Sequence, residues 1–187
     1  MDADKSLAQL KEGNARYVSG QGQKYDIVAR RAELVAGQHP FVSVLTCSDS
    51  RVVPEFIFDV MPGDMFTIIT AGNVADPIGL GSIEYGCKHL HTPLLVVMGH
   101  SNCGAVKATC DYRGVCDEGH IKHIVEVVNE AASKREYELD KSIIHNVECE
   151  IARIRKKSQI VRTLEAEKKL MIVGAFYSLE TGKVEFI

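Results

Sequence analysis

Apolar residues in this chain fall into two kinds of block. Residues 41–46, 65–70 and 94–99 are short runs of β-branched and other apolar residues with no clean polar alternation, the pattern of strands covered on both faces of a sheet. Residues 170–177 make a fourth run, and Glu180-Thr181-Gly182-Lys183 separates it from 184–187, which predicts a closing β-hairpin. Between the strands the period lengthens toward that of a helix. Residues 4–18 put Leu7, Leu10, Tyr17 and Val18 near one face, with Lys5, Lys11, Glu12 and Arg16 elsewhere, so that this helix has a face in need of a partner. Asp26 is placed to cap a second helix carrying Val28, Ala29, Ala32, Leu34 and Val35 and stopping at Gly37.

Residues 54–60 predict a short helix, and Pro77 opens another that carries Ile78, Leu80, Ile83, Tyr85 and Leu90. Gly79, Gly81 and Gly86 weaken that helix and point to close backbone packing along it. Ser101 is the expected N-cap after the third strand; a polar loop over 111–119 then leads into helices over 121–133 and 141–157. The last of these ends in Arg153, Arg155, Lys156 and Lys157, charges that suit a helix C-terminus. Strands alternating with helices predict an α/β fold with a mainly parallel central sheet flanked by helices and antiparallel strands at the C-terminus. Residues 1–187 are read as a single domain, with 1–37 as a helical N-terminal arm.

Composition narrows the function classes. The net charge is −3 and no long Lys/Arg run is present, which removes the basic footprint that nucleic-acid binding needs. The longest apolar run, 94–98, falls far short of the roughly 18 residues of a membrane span. Met1-Asp2-Ala3-Asp4-Lys5 lacks the apolar core of a signal peptide, so a cytoplasmic location is expected. Six cysteines at irregular spacing fit reduced thiols and a metal better than a disulfide framework.

The chemistry gathers at two strand ends. Cys47-Ser48-Asp49-Ser50-Arg51 follows the first strand and His100-Ser101-Asn102-Cys103 the third, and strand C-termini are where open α/β sheets build their sites. Two thiols and one imidazole suit Zn²⁺, and three protein ligands leave a fourth position for water, as in catalytic zinc sites. His100 and Cys103 are three apart at a helix start and can face one point. Asp49 has two exclusive options: it closes the metal as a fourth ligand, or it pairs with Arg51 and leaves the metal open. Cys110, Cys116, His120 and His123 form another Cys/His-rich patch, but without the close Cys pair of structural zinc modules they are read as ordinary surface residues. His89, His91 and His145 are read as surface histidines, and Cys87 and Cys149 as core residues.

The words Cys-Ser-Asp-Ser-Arg and His-Ser-Asn-Cys-Gly resemble those of the β-class carbonic anhydrases. Gly13-Asn14, Arg16-Tyr17, 52–55, Pro62-Gly63-Asp64, Ala71-Gly72-Asn73, 81–85 and 174–175 with 180–182 extend the resemblance over most of the chain. It implies Zn²⁺ on Cys47, His100 and Cys103, the Asp49/Arg51 dyad beside it, and reversible hydration of CO2 to bicarbonate and a proton by attack of zinc-bound hydroxide. It also implies the open, plant-like form, with Gln38, Phe66, Tyr85 and Gly104 lining the substrate pocket. Val44 and Ile69 stand where bicarbonate-regulated members carry a Trp and an Arg, so no such regulatory site is expected. The family's dimer places pocket residues of one subunit over the zinc of the other and lets N-terminal helices wrap the partner; a homodimer or higher homo-oligomer is therefore expected. One departure is Ile69-Thr70 before Ala71-Gly72-Asn73, where the family usually has Arg-Asn. The competing readings are a carbonyl sulfide or carbon disulfide hydrolase of the same fold, and a non-catalytic zinc-binding protein with Asp49 on the metal.

Overall fold

A computed structural model describes residues 1–187. Helix α1 (Ala3–Ser19) starts at Asp2, whose side chain accepts the Lys5 N–H, and ends at Gly20 in the left-handed region. It buries Ser6, Leu10, Gly13 and Asn14. Gly13 has to be glycine, because a Cβ there would lie 1.8 Å from the carbonyl oxygen of Phe58. Helix α2 (Ile27–Glu33) is capped by Asp26 as expected and continues as a 3-10 turn to Gly37. No residue of α2 is buried.

The sheet has five strands, β1 (Val42–Cys47), β2 (Met65–Thr70), β3 (Leu94–His100), β4 (Met171–Tyr177) and β5 (Val184–Phe186), in the order β2-β1-β3-β4-β5. The first four run parallel and β5 pairs antiparallel with β4, as the hydrophobic pattern predicts. Every residue of β1 and β3 is buried. On one face Val44, Val96 and Met98 pack with Leu10 of α1, Phe58 and Tyr177. On the other, Leu45, Leu95 and Val97 meet residues of α4 (Pro77–Lys88), α7 (Leu139–Lys157) and α8 (Gln159–Ala166), among them Ile83, Val147, Ile154 and Val161. The remaining helices are α3 (Pro54–Ile57), α5 (Gly104–Asp111) and α6 (Ile121–Ala132). No helix is long and apolar enough to cross a membrane.

Four local expectations change. Helix α3 stops at Ile57 rather than Val60, because Asp59 turns to a φ of 46° and its carboxylate receives the Gln23 N–H and Arg16. Of the three glycines in α4 only Gly86 marks a close approach, its Cβ position lying 2.4 Å from Ser43 Oγ; Gly79 follows the Asp76 cap, and Gly81 faces open space. Leu90 falls beyond the end of α4. The helix α8 was not expected, and Ser158 caps it through the Val161 N–H.

Candidate metal centre

Strand register brings the two chemical words together. β1 and β3 are neighbours, so Cys47, the last residue of β1, comes beside His100, the last of β3, at the C-terminal edge of the sheet. Beyond His100 the chain makes a tight turn with Asn102 at a φ of 55°, and Cys103 then takes the N-cap position of α5. Ser101 is therefore not the cap that the sequence suggested. Its hydroxyl oxygen accepts the Leu179 N–H at 2.9 Å and fastens the turn to the chain after β4. His100 and Cys103 converge through that turn rather than across one helical face.

Cys47 Sγ and Cys103 Sγ are 3.8 Å apart, and the donor atoms of Cys47, His100 and Cys103 lie within 4.8 Å of one another. All three residues are buried. The imidazole orientation is fixed: Nδ1 meets the Ser101 carbonyl at 2.9 Å, which makes it the protonated nitrogen and turns the Nε2 lone pair inward. That Nε2 is buried and has no hydrogen-bond partner, an arrangement that costs stability unless something electrophilic completes it. Two sulfurs and one bare imidazole nitrogen fit a tetrahedral Zn²⁺ with one position left over. The Cys103 S–H, His100 and the Gly72 N–H hold the Cys47 thiol below its ordinary value against the opposing effect of burial. The same contact with Cys103 and burial push Cys103 up.

Asp49 stands beside this cluster but points at Arg51. Arg51 Nε and Nη2 donate to the two carboxylate oxygens at 2.9 and 2.7 Å, and the Arg51 N–H adds a third bond at 3.0 Å. These bonds hold the Asp49 carboxyl well below the usual carboxylate range. Asp49 Oδ2 remains 3.9 Å from His100 Nε2, at the margin of the donor cluster. Of the two exclusive arrangements, the one present is the pairing of Asp49 with Arg51.

The pocket residues expected from the resemblance are spread out. Gly104 follows Cys103 and is the first residue of α5, with open space at its Cβ position. Phe66 and Tyr85 pack together, ring centroids 6.0 Å apart, but Phe66 is in register with Ser43, whereas Cys47 is in register with Thr70. Four strand residues, roughly 13 Å, separate those levels. Gln38 is exposed in the connection that enters β1 from that same far end. Within one chain these three do not reach the donor cluster. Cys110, Cys116, His120 and His123 do not assemble a donor group either; the Cys47, His100, Cys103 set is the one cluster of that kind. The sequence reading missed the Gly72 N–H at Cys47 Sγ, although Gly72-Asn73 directly after a strand was a turn signal that could have pointed to it.

The family model for carbonic anhydrase matches residues 42–184. A carbonic anhydrase of Mycolicibacterium smegmatis is 40% identical over 186 residues, covering 94% of this chain and 89% of its own. Carbonic anhydrase 2 of Mycobacterium tuberculosis is 39% identical, covering 93% and 87%. Among solved structures, a β-carbonic anhydrase of Aspergillus fumigatus superposes with a TM-score of 0.76 at 25% identity, over 98% of this chain and 89% of that one. Matched in sequence and in fold along nearly its whole length, the chain belongs to the β-carbonic anhydrases, a family of lyases whose general reaction is the zinc-dependent hydration of CO2.

Proposed function

We propose that this chain hydrates CO2 reversibly to bicarbonate and a proton, with Zn²⁺ held by Cys47, His100 and Cys103, in the open form of the site. The observation that carries the reading is the two-point bond between Arg51 and Asp49 beside a buried, unpartnered His100 Nε2. Bound there, Zn²⁺ supplies Lewis acidity that lowers the pKa of a coordinated water toward neutrality, an effect whose reference case is the three-histidine site of another carbonic anhydrase, at about 7.

The protein's own groups do the rest. Arg51 keeps Asp49 ionised and turned away from the metal ligands. With Oδ2 3.9 Å from His100 Nε2, the Asp49 carboxylate would accept a hydrogen bond from the nucleophile and orient it toward CO2. Cys47, Cys103 and His100, the last fixed by the Ser101 carbonyl, are buried and would hold the metal away from bulk water.

The distance between Phe66, Tyr85 and Gln38 and the metal ligands of the same chain supports a homodimer in which each copy furnishes pocket residues to the other. Strand β2 is an edge strand, and Ile69, Phe56 and Ile78 expose apolar surface near it (54, 73 and 79% exposed), a combination that favours coverage by a second copy. Of the 1–37 arm, α1 packs Leu10 onto its own sheet, so it is α2, with Ile27 and Val28 exposed, that extends that contact, and residues 1–187 act as one domain. All six cysteines are free, in keeping with the reducing cytoplasm.

Stopped-flow CO2 hydration on protein of known zinc content, from pH 6.5 to 9 with carbonyl sulfide in parallel, tests the reading. Hydration already rapid near neutral pH is expected. Activity that emerges only above about pH 8 would place Asp49 on the metal. Turnover of carbonyl sulfide alone identifies a hydrolase, and zinc binding without turnover of either gas identifies a binding protein. Cys47→Ser removes the zinc under every reading; Asp49→Ala keeps it and abolishes catalysis only in an enzyme.

A further inference from the structure

The turn after β2 is held from behind. In residues 71–75 the Gly72 N–H ends 3.4 Å from Cys47 Sγ. Gly72 adopts a φ of 70°, and a Cβ there would press on the Ala105 Cβ at 3.1 Å, so glycine lets the turn lie against the start of α5. The fixed points of the turn are on α7. Asn146 Nδ2 donates to the Gly72 carbonyl at 2.9 Å, and one helical turn further on Glu150 Oε2 accepts the Ala75 N–H at 2.7 Å.

Both side chains are buried, Asn146 at 1% and Glu150 at 0% exposure. A carboxylate placed in a core is costly unless its oxygens are engaged. The second oxygen of Glu150 is engaged by Arg153 Nε at 3.0 Å, and Arg153 also reaches Glu130. A helix that only filled the core would be apolar at these positions, as α7 is at Ile143, Val147 and Ile154. Instead two polar side chains, four residues apart, grip two backbone groups of the turn whose Gly72 N–H meets Cys47 Sγ.

We propose that Asn146 and Glu150 are positioning residues: by clamping the 71–75 turn they keep the Gly72 N–H on Cys47 Sγ, and through that bond they set how strongly the sulfur donates to the metal. The inference rests on the zinc reading above. An N–H directed at a sulfur ligand fixes the direction of its remaining lone pairs and draws electron density from it, which would leave a bound metal more Lewis acidic. Loosening the turn therefore frees the Cys47 sulfur from the orientation in which it meets His100 and Cys103, and so weakens zinc binding.

The first test needs no variant. In the ¹¹³Cd-substituted wild-type protein, a scalar coupling across the hydrogen bond is expected between the metal and the Gly72 amide proton, beside those to the Cys47 and Cys103 side chains. Coupling to both cysteines without coupling to Gly72 overturns the inference and leaves the zinc reading intact. Absence of coupling to the cysteines overturns both. The second test compares Asn146→Leu and Glu150→Leu with Glu150→Gln, which retains an oxygen for the Ala75 N–H. Zinc affinity measured against a chromophoric chelator is expected to fall about 10- to 100-fold in the two leucine variants, and the thiolate-to-metal charge-transfer band of their Co²⁺ forms is expected to shift, with Glu150→Gln near wild type on both. Folded leucine variants with wild-type affinity and an unmoved band refute the proposal. Should either leucine variant fail to fold, Asn146→Ser and the cadmium experiment decide in its place by the same criteria.

Discussion

Asn14 joins the first helix to two distant parts of the chain. Its Nδ2 donates to the Ile57 carbonyl at 3.1 Å and to the Gly182 carbonyl at 2.9 Å, and its Oδ1 accepts the Val184 N–H at 2.9 Å. The side chain is 7% exposed, so water does not replace what is removed. Asn14→Ala strands two carbonyls and one N–H; at about 1 kcal/mol of net stability for each bond the loss is about 3 kcal/mol. At 2–4 °C per kcal/mol for a chain of this size, the melting temperature falls by roughly 6–12 °C. Asn14→Asp keeps the acceptor for Val184 but turns a carboxylate oxygen toward two carbonyl oxygens, so at pH 7 it is expected to be at least as damaging. Urea unfolding followed by circular dichroism, at matched zinc content and fixed protomer concentration, measures the difference. If both variants unfold within about 0.5 kcal/mol of wild type, as substitutions at an uninvolved surface position do, the hydrogen-bond accounting is wrong.

Three further outcomes are expected. Arg51→Lys keeps the charge but loses the fork that holds both Asp49 oxygens, so stopped-flow hydration at pH 7 should drop while zinc content stays unchanged; undiminished activity would show that the fork is dispensable. Gly86→Ala puts a Cβ 2.4 Å from Ser43 Oγ and 2.8 Å from the Phe66 ring, so α4 must move off the sheet at a cost of about 1–3 kcal/mol, readable by thermal unfolding. Burial raises the Glu150 carboxyl above its ordinary value, so the folded state holds this proton more tightly than the unfolded chain does. Its contribution to stability is then fullest below the ordinary carboxylate pKa and declines as pH rises through the folded value. The melting temperature of Glu150→Gln relative to wild type should accordingly improve from pH 4 to pH 7, and a constant difference would contradict the raised value.

The parallel core of the sheet was legible because β1 and β3 are dry on both faces and so carry uninterrupted apolar runs. The ligands were legible for a related reason: Cys47 and His100 close those same runs. Helix α8 escaped because the basic run ending at Lys157 read as the end of the helical region, although Ser158 before Ile160, Val161 and Leu164 held both a cap and an apolar stripe. Ser101 resembled a cap because serine suits that position, but the left-handed Asn102 inserts a turn and passes the role to Cys103. The clamp from α7 had no local signal. Asn146 and Glu150 look like solvent-facing positions of an amphipathic helix until the turn 75 residues earlier is folded against them.

The contacts of Asn14 with Gly182 and Val184 span 168 and 170 residues, which gives the chain an order of assembly. Pairings this remote carry the greatest loop-closure cost and form late. During synthesis the first helix emerges with nothing to dock on at the hairpin, while β1 and β3, which carry Cys47 and His100, can already pair. The hairpin therefore adds the last fastening to a helix that the sheet and α3 already hold. A chain interrupted before Val184 lacks that last bond to Asn14, while Leu10 in the core, Ser6 on the Phe41 carbonyl and Asn14 on the Ile57 carbonyl still hold α1.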